Sequence, residues 1–205
     1  HADADHYISS AQLTPTIQLD YKGIVITSHL MGEHNLQNIA ATIAIAEHFG
    51  ISKENIAAGI GAYKPQNNRS QIIQTEKGNT VLLDAYNANP SSMKAALLGF
   101  KESILSQGFK LTDSCVVLGD MNELGDSASM YHQDVGDYVK SLGFPNVYFV
   151  GRYSQFYKKG FSAGQERASS AAFKNEYRTE CIKNFSIHFI KGSRSLQLES
   201  LFDIT

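Results

Sequence analysis

Five stretches of this sequence carry side chains whose type and spacing suit ligand chemistry. Asp84 follows the apolar run Val81-Leu82-Leu83. A carboxylate at the end of such a run can accept two hydrogen bonds from a ribose diol, or it can cap a turn. Gly119-Asp-Met-Asn-Glu-Leu-Gly125 holds two carboxylates, Asp120 and Glu123, in one glycine-bounded loop. They could bind an ammonium group or exchange a proton, or they could be ordinary solvated acids. Lys191-Gly-Ser-Arg194 combines two cations with the Ser193 hydroxyl on a flexible backbone, and a helix is expected to begin near Ser195. That suits a phosphate or carboxylate; a basic surface turn is the plainer reading. In Glu33-His34-Asn35-x-x-Asn38 the amides of Asn35 and Asn38 share a helix face. Each offers a donor and an acceptor, as the edge of adenine requires, although capping explains one of them equally well. Arg69 can reach a phosphate bidentately from a loop, or it is a surface cation.

The elements that must position these residues follow from the apolar pattern. Thr16–Tyr21 and Ile24–Thr27 read as two strands around a Lys22-Gly23 turn. Leu36, Ile39, Ala40, Ile43 and Ala46 form one helical stripe that Gly50 ends, and Ser52 caps a second helix to about Tyr63. Pro65-Gln-Asn-Asn68 is rich in turn formers and marks a boundary between residues 1–65 and 66–205. Beyond it, Thr80–Leu83, Cys115–Leu118, Val147–Val150 and Ile187–Ile190 are short continuous apolar runs, the pattern of strands buried on both faces. Helices lie between them. The clearest carries Met93, Ala96, Leu97, Phe100 and Ile104, with Asn89 as cap and Pro90 at its first position. Another covers about Tyr131–Leu142, and residues 160–183 are expected to be helical in parts. This alternation predicts an α/β fold with a mostly parallel sheet. In such a sheet ligands sit beyond the carboxyl ends of the strands, where four segments fall: those starting at Asp84, Gly119, Gly151 and Lys191.

Composition narrows the function classes. Hydrophobic residues make up 42% of the 205, enough for a packed core. The formal net charge of −2 gives no general attraction to nucleic acid or to an anionic membrane. No apolar run approaches the length of a membrane span. The two cysteines, Cys115 and Cys181, form no C-x-x-C pair and read as reduced thiols of a cytoplasmic protein. His-Ala-Asp-Ala-Asp-His opens the chain without Met. It lacks a metal-ligand spacing, and a cut inside a longer protein is the expectation. No G-x-x-x-x-G-K-[ST] phosphate loop, G-x-G-x-x-G fingerprint or Mg²⁺ carboxylate cluster follows any strand, so neither a complete ATP-cleaving machine nor an NAD-dependent oxidoreductase is visible.

Taken in order, Gly32-Glu-His-Asn-x-x-Asn38, Asn68-Arg-Ser70, Asp84-Ala-Tyr-Asn-Ala-Asn-Pro-x-Ser-Met93, Leu118-Gly-Asp-Met-Asn-Glu-Leu-Gly125 with His132, and Lys191-Gly-Ser-Arg194 resemble the Mur ligase superfamily. Within it they are most similar to the branch that adds D-Ala-D-Ala. The D-N-P-R and K-G-H-E runs of the diaminopimelate-adding branch are absent. The resemblance covers about Gly32 to Glu199. It implies the last part of a central ATPase domain over 1–65 and a Rossmann-like C-terminal domain over 66–205. It also implies an ATP- and Mg²⁺-dependent reaction that joins UDP-MurNAc-tripeptide to D-Ala-D-Ala through an acyl phosphate, by a monomer. By position, Asn35 and Asn38 would contact adenine, Arg69 the nucleotide or phosphate, and Asp84 the ribose. Asp120, Glu123, Lys191, Ser193 and Arg194 would hold the dipeptide, with the cations toward its carboxylate. The family has Gly before the junction Arg; Asn68 stands there, so a different local backbone is expected. This chain alone would be inactive. The alternatives are another Mur ligase and a noncatalytic nucleotide-binding module.

Overall fold

The structure, a computed structural model, describes residues 8–13 and 16–202, the side chains of Ser9, Ser10 and His34 excepted. The tract His1–His6 therefore lies outside the described residues. Two compact units divide at Pro65 and Gln66.

In the first unit, β1 (Ile8–Gln12), β2 (Gln18–Tyr21) and β3 (Ile24–Thr27) form an antiparallel sheet in that order. The β2–β3 turn is the expected one: Lys22 and Gly23 both take positive φ, which matches the twist of a two-residue hairpin. β1 was not anticipated. Ile8-Ser-Ser-Ala-Gln12 has one strong strand former, and its pairing with β2 supplies what its own propensity lacks. Helices α1 (Glu33–His48) and α2 (Lys53–Ala62) cover the sheet. Ile39, Ile43, Ile56 and Ile60 close a core with Ile17, Leu19, Tyr21 and Ile26. The Ser52 hydroxyl accepts from the Asn55 N–H and caps α2 as expected.

In the second unit, β4 (Gln71–Gln74), β5 (Thr80–Asp84), β6 (Ser114–Gly119), β7 (Val147–Val150), β8 (Gln165–Arg167) and β9 (Ile187–Lys191) form one sheet ordered β4-β5-β9-β6-β7-β8. Only β4 runs antiparallel. Helices α3 (Pro90–Ser106), α4 (Ala128–Ser141) and α5 (Ser154–Gly160) follow β5, β6 and β7 as the chain steps in one direction. Helix α6 (Ser170–Glu176), with its π-helical continuation Tyr177–Cys181 and final turn Ile182–Asn184, carries the return that inserts β9 between β5 and β6. Right-handed crossovers put forward and return helices on opposite faces. The side chains agree. Phe100 of α3 stacks on Phe189 and Tyr157 of α5 on Phe149, while their strand neighbours Ile190, Tyr148 and Val150 pack with Phe173 and Tyr177 of the return segment. Asn89 and Ser92 form a reciprocal cap that starts α3 at Pro90.

β4 and β8 escaped the sequence pattern because they are edge strands. They are short and half-exposed, with polar residues at their ends, and need no continuous apolar run. The segment 160–183 resolves into the end of α5, β8, α6 and the π turn. The helix expected near Ser195 is absent. Arg194–Leu196 and Leu198–Leu201 are single 3-10 turns, separated by Gln197 at φ +48, which breaks the helical path.

Candidate functional site

The carboxyl ends of β5, β9, β6 and β7 lie side by side. Asp84 is in register with Lys191, which is in register with Leu118, one residue before Gly119. The four segments expected to bear ligand chemistry therefore share one edge.

Asp84 and Lys191 do not stand as separate ligand groups. The Lys191 ammonium makes an ion pair with Asp84 Oδ2 and donates to the Asn87 carbonyl at 3.3 Å. Its side chain is 3% exposed, against 16% for Asp84. The expectation of a free Lys191 cation facing a substrate carboxylate is therefore revised. A buried ammonium needs a counter-charge, and Asp84 supplies it. The other Asp84 oxygen accepts the Ser70 N–H at 3.0 Å, which ties the Arg69 loop to the end of β5. A carboxylate has about four lone-pair sites, so Asp84 keeps acceptor capacity for a hydroxyl.

Asp120 also turns inward. It is 4% exposed, and its two oxygens accept the N–H groups of Arg152 and Tyr153, both at 3.0 Å. Burial raises its pKa, and these two bonds partly offset that. Its carboxylate fastens the loop after β7 instead of facing solvent. Gly151 permits this: at φ +120, an added Cβ would sit 2.5 Å from the Asp120 carboxylate. His132 of α4 holds the loop after β6, to which Asp120 itself belongs. Its Nε2 accepts the Met121 N–H at 3.0 Å and its Nδ1–H donates to the Ala128 carbonyl at 2.6 Å, which defines a neutral ring whose pKa burial lowers. Tyr157 adds a bond from its hydroxyl to the Gly119 carbonyl.

Glu123 is different. It is exposed, takes φ +62, and its carboxylate has no hydrogen bond or ion pair among the described residues. Ser193 is buried. Its N–H donates to the Asp120 carbonyl at 2.9 Å and its hydroxyl accepts the Asn122 N–H at 3.0 Å, locking the β6 and β9 loops together. Gly119 and Gly192 allow that approach: a Cβ on Gly192 would meet Gly119 Cα at 2.9 Å. Arg194 is exposed, and its N–H donates to the Tyr86 carbonyl at 3.1 Å.

Tyr86, not singled out from the sequence, collects both arginines. The Arg69 guanidinium lies 3.8 Å from the centre of its ring and that of Arg194 5.5 Å. Hydrogen bonding and charge from Arg69, then the charge of Arg194, lower the Tyr86 phenol pKa. Neither arginine, nor Arg152 on the next loop, has a carboxylate partner among the described residues. The Arg69 loop is unusual in backbone. Asn67, Asn68 and Ser70 all take positive φ, and Asn68 at φ +59 occupies the region that glycine favours and Asn tolerates best among the rest. The signal for Tyr86 was its place between Asp84 and the α3 cap; His132 showed only as one member of an ordered motif. Neither role is visible without the fold.

Asn35 and Asn38 belong to the first unit, where they meet as expected. The Asn38 amide donates to Asn35 Oδ1 at 3.3 Å, and the buried Asn35 amide donates to the Met31 carbonyl at 3.0 Å. Asn38 is exposed. Among the described residues no group of three or more His, Cys, Asp or Glu could hold a metal ion, and no helix is long and apolar enough to cross a membrane.

The family model for the Mur ligase, glutamate ligase domain, matches residues 68–187. The UDP-N-acetylmuramoyl-tripeptide–D-alanyl-D-alanine ligase of Bacillus subtilis is 33% identical over 177 residues, covering 84% of this chain and 38% of that protein. The Escherichia coli protein of the same name is 29% identical over 187 residues, covering 91% and 40%. Among solved structures, MurF from Acinetobacter baumannii (crystal structure II) superimposes with a TM-score of 0.82 at 26% identity, over 98% of this chain and 45% of that one. MurF from Thermotoga maritima in complex with ADP shares the fold, with a TM-score of 0.74 at 17% identity. The chain spans about two fifths of the length of the curated relatives it matches.

Proposed function

This chain belongs to the Mur ligase family, and from that premise we propose that it forms part of a cytoplasmic, monomeric, ATP-dependent ligase that joins D-Ala-D-Ala to UDP-MurNAc-tripeptide in peptidoglycan synthesis. Relatives of that name align over most of the chain. The observation that carries the reading is the edge itself, where Arg69, Arg194 and Glu123, exposed and without ionic partners among the described residues, lie on loops at the ends of parallel strands.

In the proposed reaction the tripeptide carboxylate takes the γ-phosphoryl group of ATP, releasing ADP and forming an acyl phosphate. The dipeptide amine then attacks the acyl carbon, phosphate leaves, and the amine loses a proton. D-Ala-D-Ala carries an ammonium and a carboxylate, so one acid and one guanidinium on the same edge complement it. Glu123 takes the first role and Arg194 the second, and the Ser193 hydroxyl keeps its proton to donate. Arg69 faces phosphate, Asp84 the ribose hydroxyls, and Asn35 with Asn38 the adenine. Asp120 and Lys191 act through other groups: Asp120 sets the Arg152 loop and Lys191 orients Asp84. Mg²⁺ would neutralise phosphate charge in the whole enzyme. Among the described residues there is no cluster of ligands, so none of them is assigned to it.

The test is phosphate release from ATP with UDP-MurNAc-tripeptide by a longer protein that contains this sequence and a phosphate loop. D-Ala-D-Ala should support turnover and diaminopimelate should not; the reverse preference would overturn the assignment to this branch. The 205-residue chain should show no turnover, and dipeptide-dependent ATP cleavage by it alone would overturn the view that its chemistry needs a phosphate grip from elsewhere.

A further inference from the structure

Tyr86 lies in the loop that links Asp84 to the cap of α3, and the backbone and side chains of two other loops converge on it. Its carbonyl receives the Arg194 N–H at 3.1 Å. The Arg69 guanidinium lies 3.8 Å and the Arg194 guanidinium 5.5 Å from the centre of its ring. Two cations that share one ring repel each other, and neither has a carboxylate among the described residues to offset that. The negative face of the ring is the attraction that keeps them in place. The Lys191 charge on this edge is compensated by Asp84, while Arg152 on the next loop has no carboxylate among the described residues; Tyr86 differs in having two such cations against one ring.

We propose that Tyr86 is a positioning residue that presents Arg69 and Arg194 together to a single oxyanion, a phosphoryl group or a carboxylate. Resting on the ligase reading above, the inference deepens it: the arginines assigned there to separate ligands share one seat and respond together. Two planar guanidinia that reach the same anion match two or more acceptor oxygens better than either does alone. The lowered pKa of the Tyr86 phenol reflects the same convergence of charge.

The experiment follows the arginine side-chain Nε–H signals of the 205-residue chain by NMR during titration with inorganic phosphate and, separately, with D-Ala-D-Ala. In the unsubstituted chain the Arg69 and Arg194 signals should move together with one dissociation constant for a given anion. Whichever titrant acts at the lower concentration identifies the source, phosphoryl or carboxylate. Tyr86→Leu should weaken that constant about five- to tenfold, in line with the loss of one or two ring–cation contacts. Tyr86→Phe, which keeps the ring face, should restore most of it. Unchanged amide spectra of β5 and β9 in both variants would place the effect at the arginines and not in the fold. Equal affinity in Tyr86→Leu and the unsubstituted chain, or signals that titrate with different constants, would overturn the positioning role while leaving the ligase reading intact. A chain whose arginines respond to neither anion would overturn the shared seat. The dipeptide-dependent turnover of the longer protein judges the ligase reading separately.

Discussion

Replacing Asp84 by Asn would leave Lys191 buried with no counter-charge. Its ammonium would keep only the 3.3 Å bond to the Asn87 carbonyl and whatever the new amide oxygen supplies. Stranding a buried charge in this way costs about 3–5 kcal/mol. The reverse change, Lys191→Met, is milder, because the Asp84 side chain is 16% exposed and keeps the Ser70 N–H; a cost of about 2 kcal/mol is expected once water is allowed to screen it. In the double variant no charge is stranded, so its cost should fall near 2–3 kcal/mol instead of the sum of roughly 5–7. The chain has no Trp and two units, so a single optical melt would mix signals. Native-state hydrogen exchange on the amides of β5 and β9 reads the relevant unit directly. A 3 kcal/mol loss there accelerates exchange on the order of 100-fold in globally protected amides. If the two single changes add within about 0.5 kcal/mol, the pair is not coupled and the account of Lys191 as the counter-ion of Asp84 fails.

Three further outcomes follow from the same contacts. His188 is buried, donates from Nε2 to the Phe185 carbonyl and accepts the Tyr177 hydroxyl at Nδ1; burial depresses its pKa to about 4. Because the folded value lies below the ordinary 6.5, its share of stability is present above pH 6.5 and is lost as the pH falls toward 4. The loss should be on the order of 3 kcal/mol, and it should be smaller in His188→Gln in urea titrations across that range. Gly192→Ala would press a methyl against Gly119 Cα and force the β6 and β9 loops apart. It should abolish the response of Arg194 to anions in the NMR titration and cost about 1–3 kcal/mol in urea unfolding. At Asn68, φ +59 makes Gly the tolerated replacement. Asn68→Gly should stay within about 0.5 kcal/mol of the unsubstituted chain and Asn68→Val should lose about 1–2 kcal/mol, measured by urea unfolding.

What could be read from residue order was local. The apolar runs of β5, β6, β7 and β9, the Lys22-Gly23 hairpin and the Asn89-Pro90 start of α3 all depend on short-range preferences, and the structure contains each of them. The motif order that identifies the family is likewise a property of the chain and needs no coordinates. The edge strands β4 and β8 were illegible because a strand with one neighbour needs little apolar content. The chemistry of the site depended on placement. Nothing in the sequence says that the last strand inserts between β5 and β6, yet that insertion sets Lys191 beside Asp84 and Gly192 against Gly119. Whether a carboxylate faces solvent or the loop beside it turns on a single residue of alternation and on which backbone N–H groups lie near. Asp120 therefore points inward while Glu123, three residues on, stands free. Residue types limited which groups could bind an anion or an amine. Pairing between strands remote in the chain decided which of them were already satisfied by the protein itself, because a buried charge must find its partner before any ligand arrives.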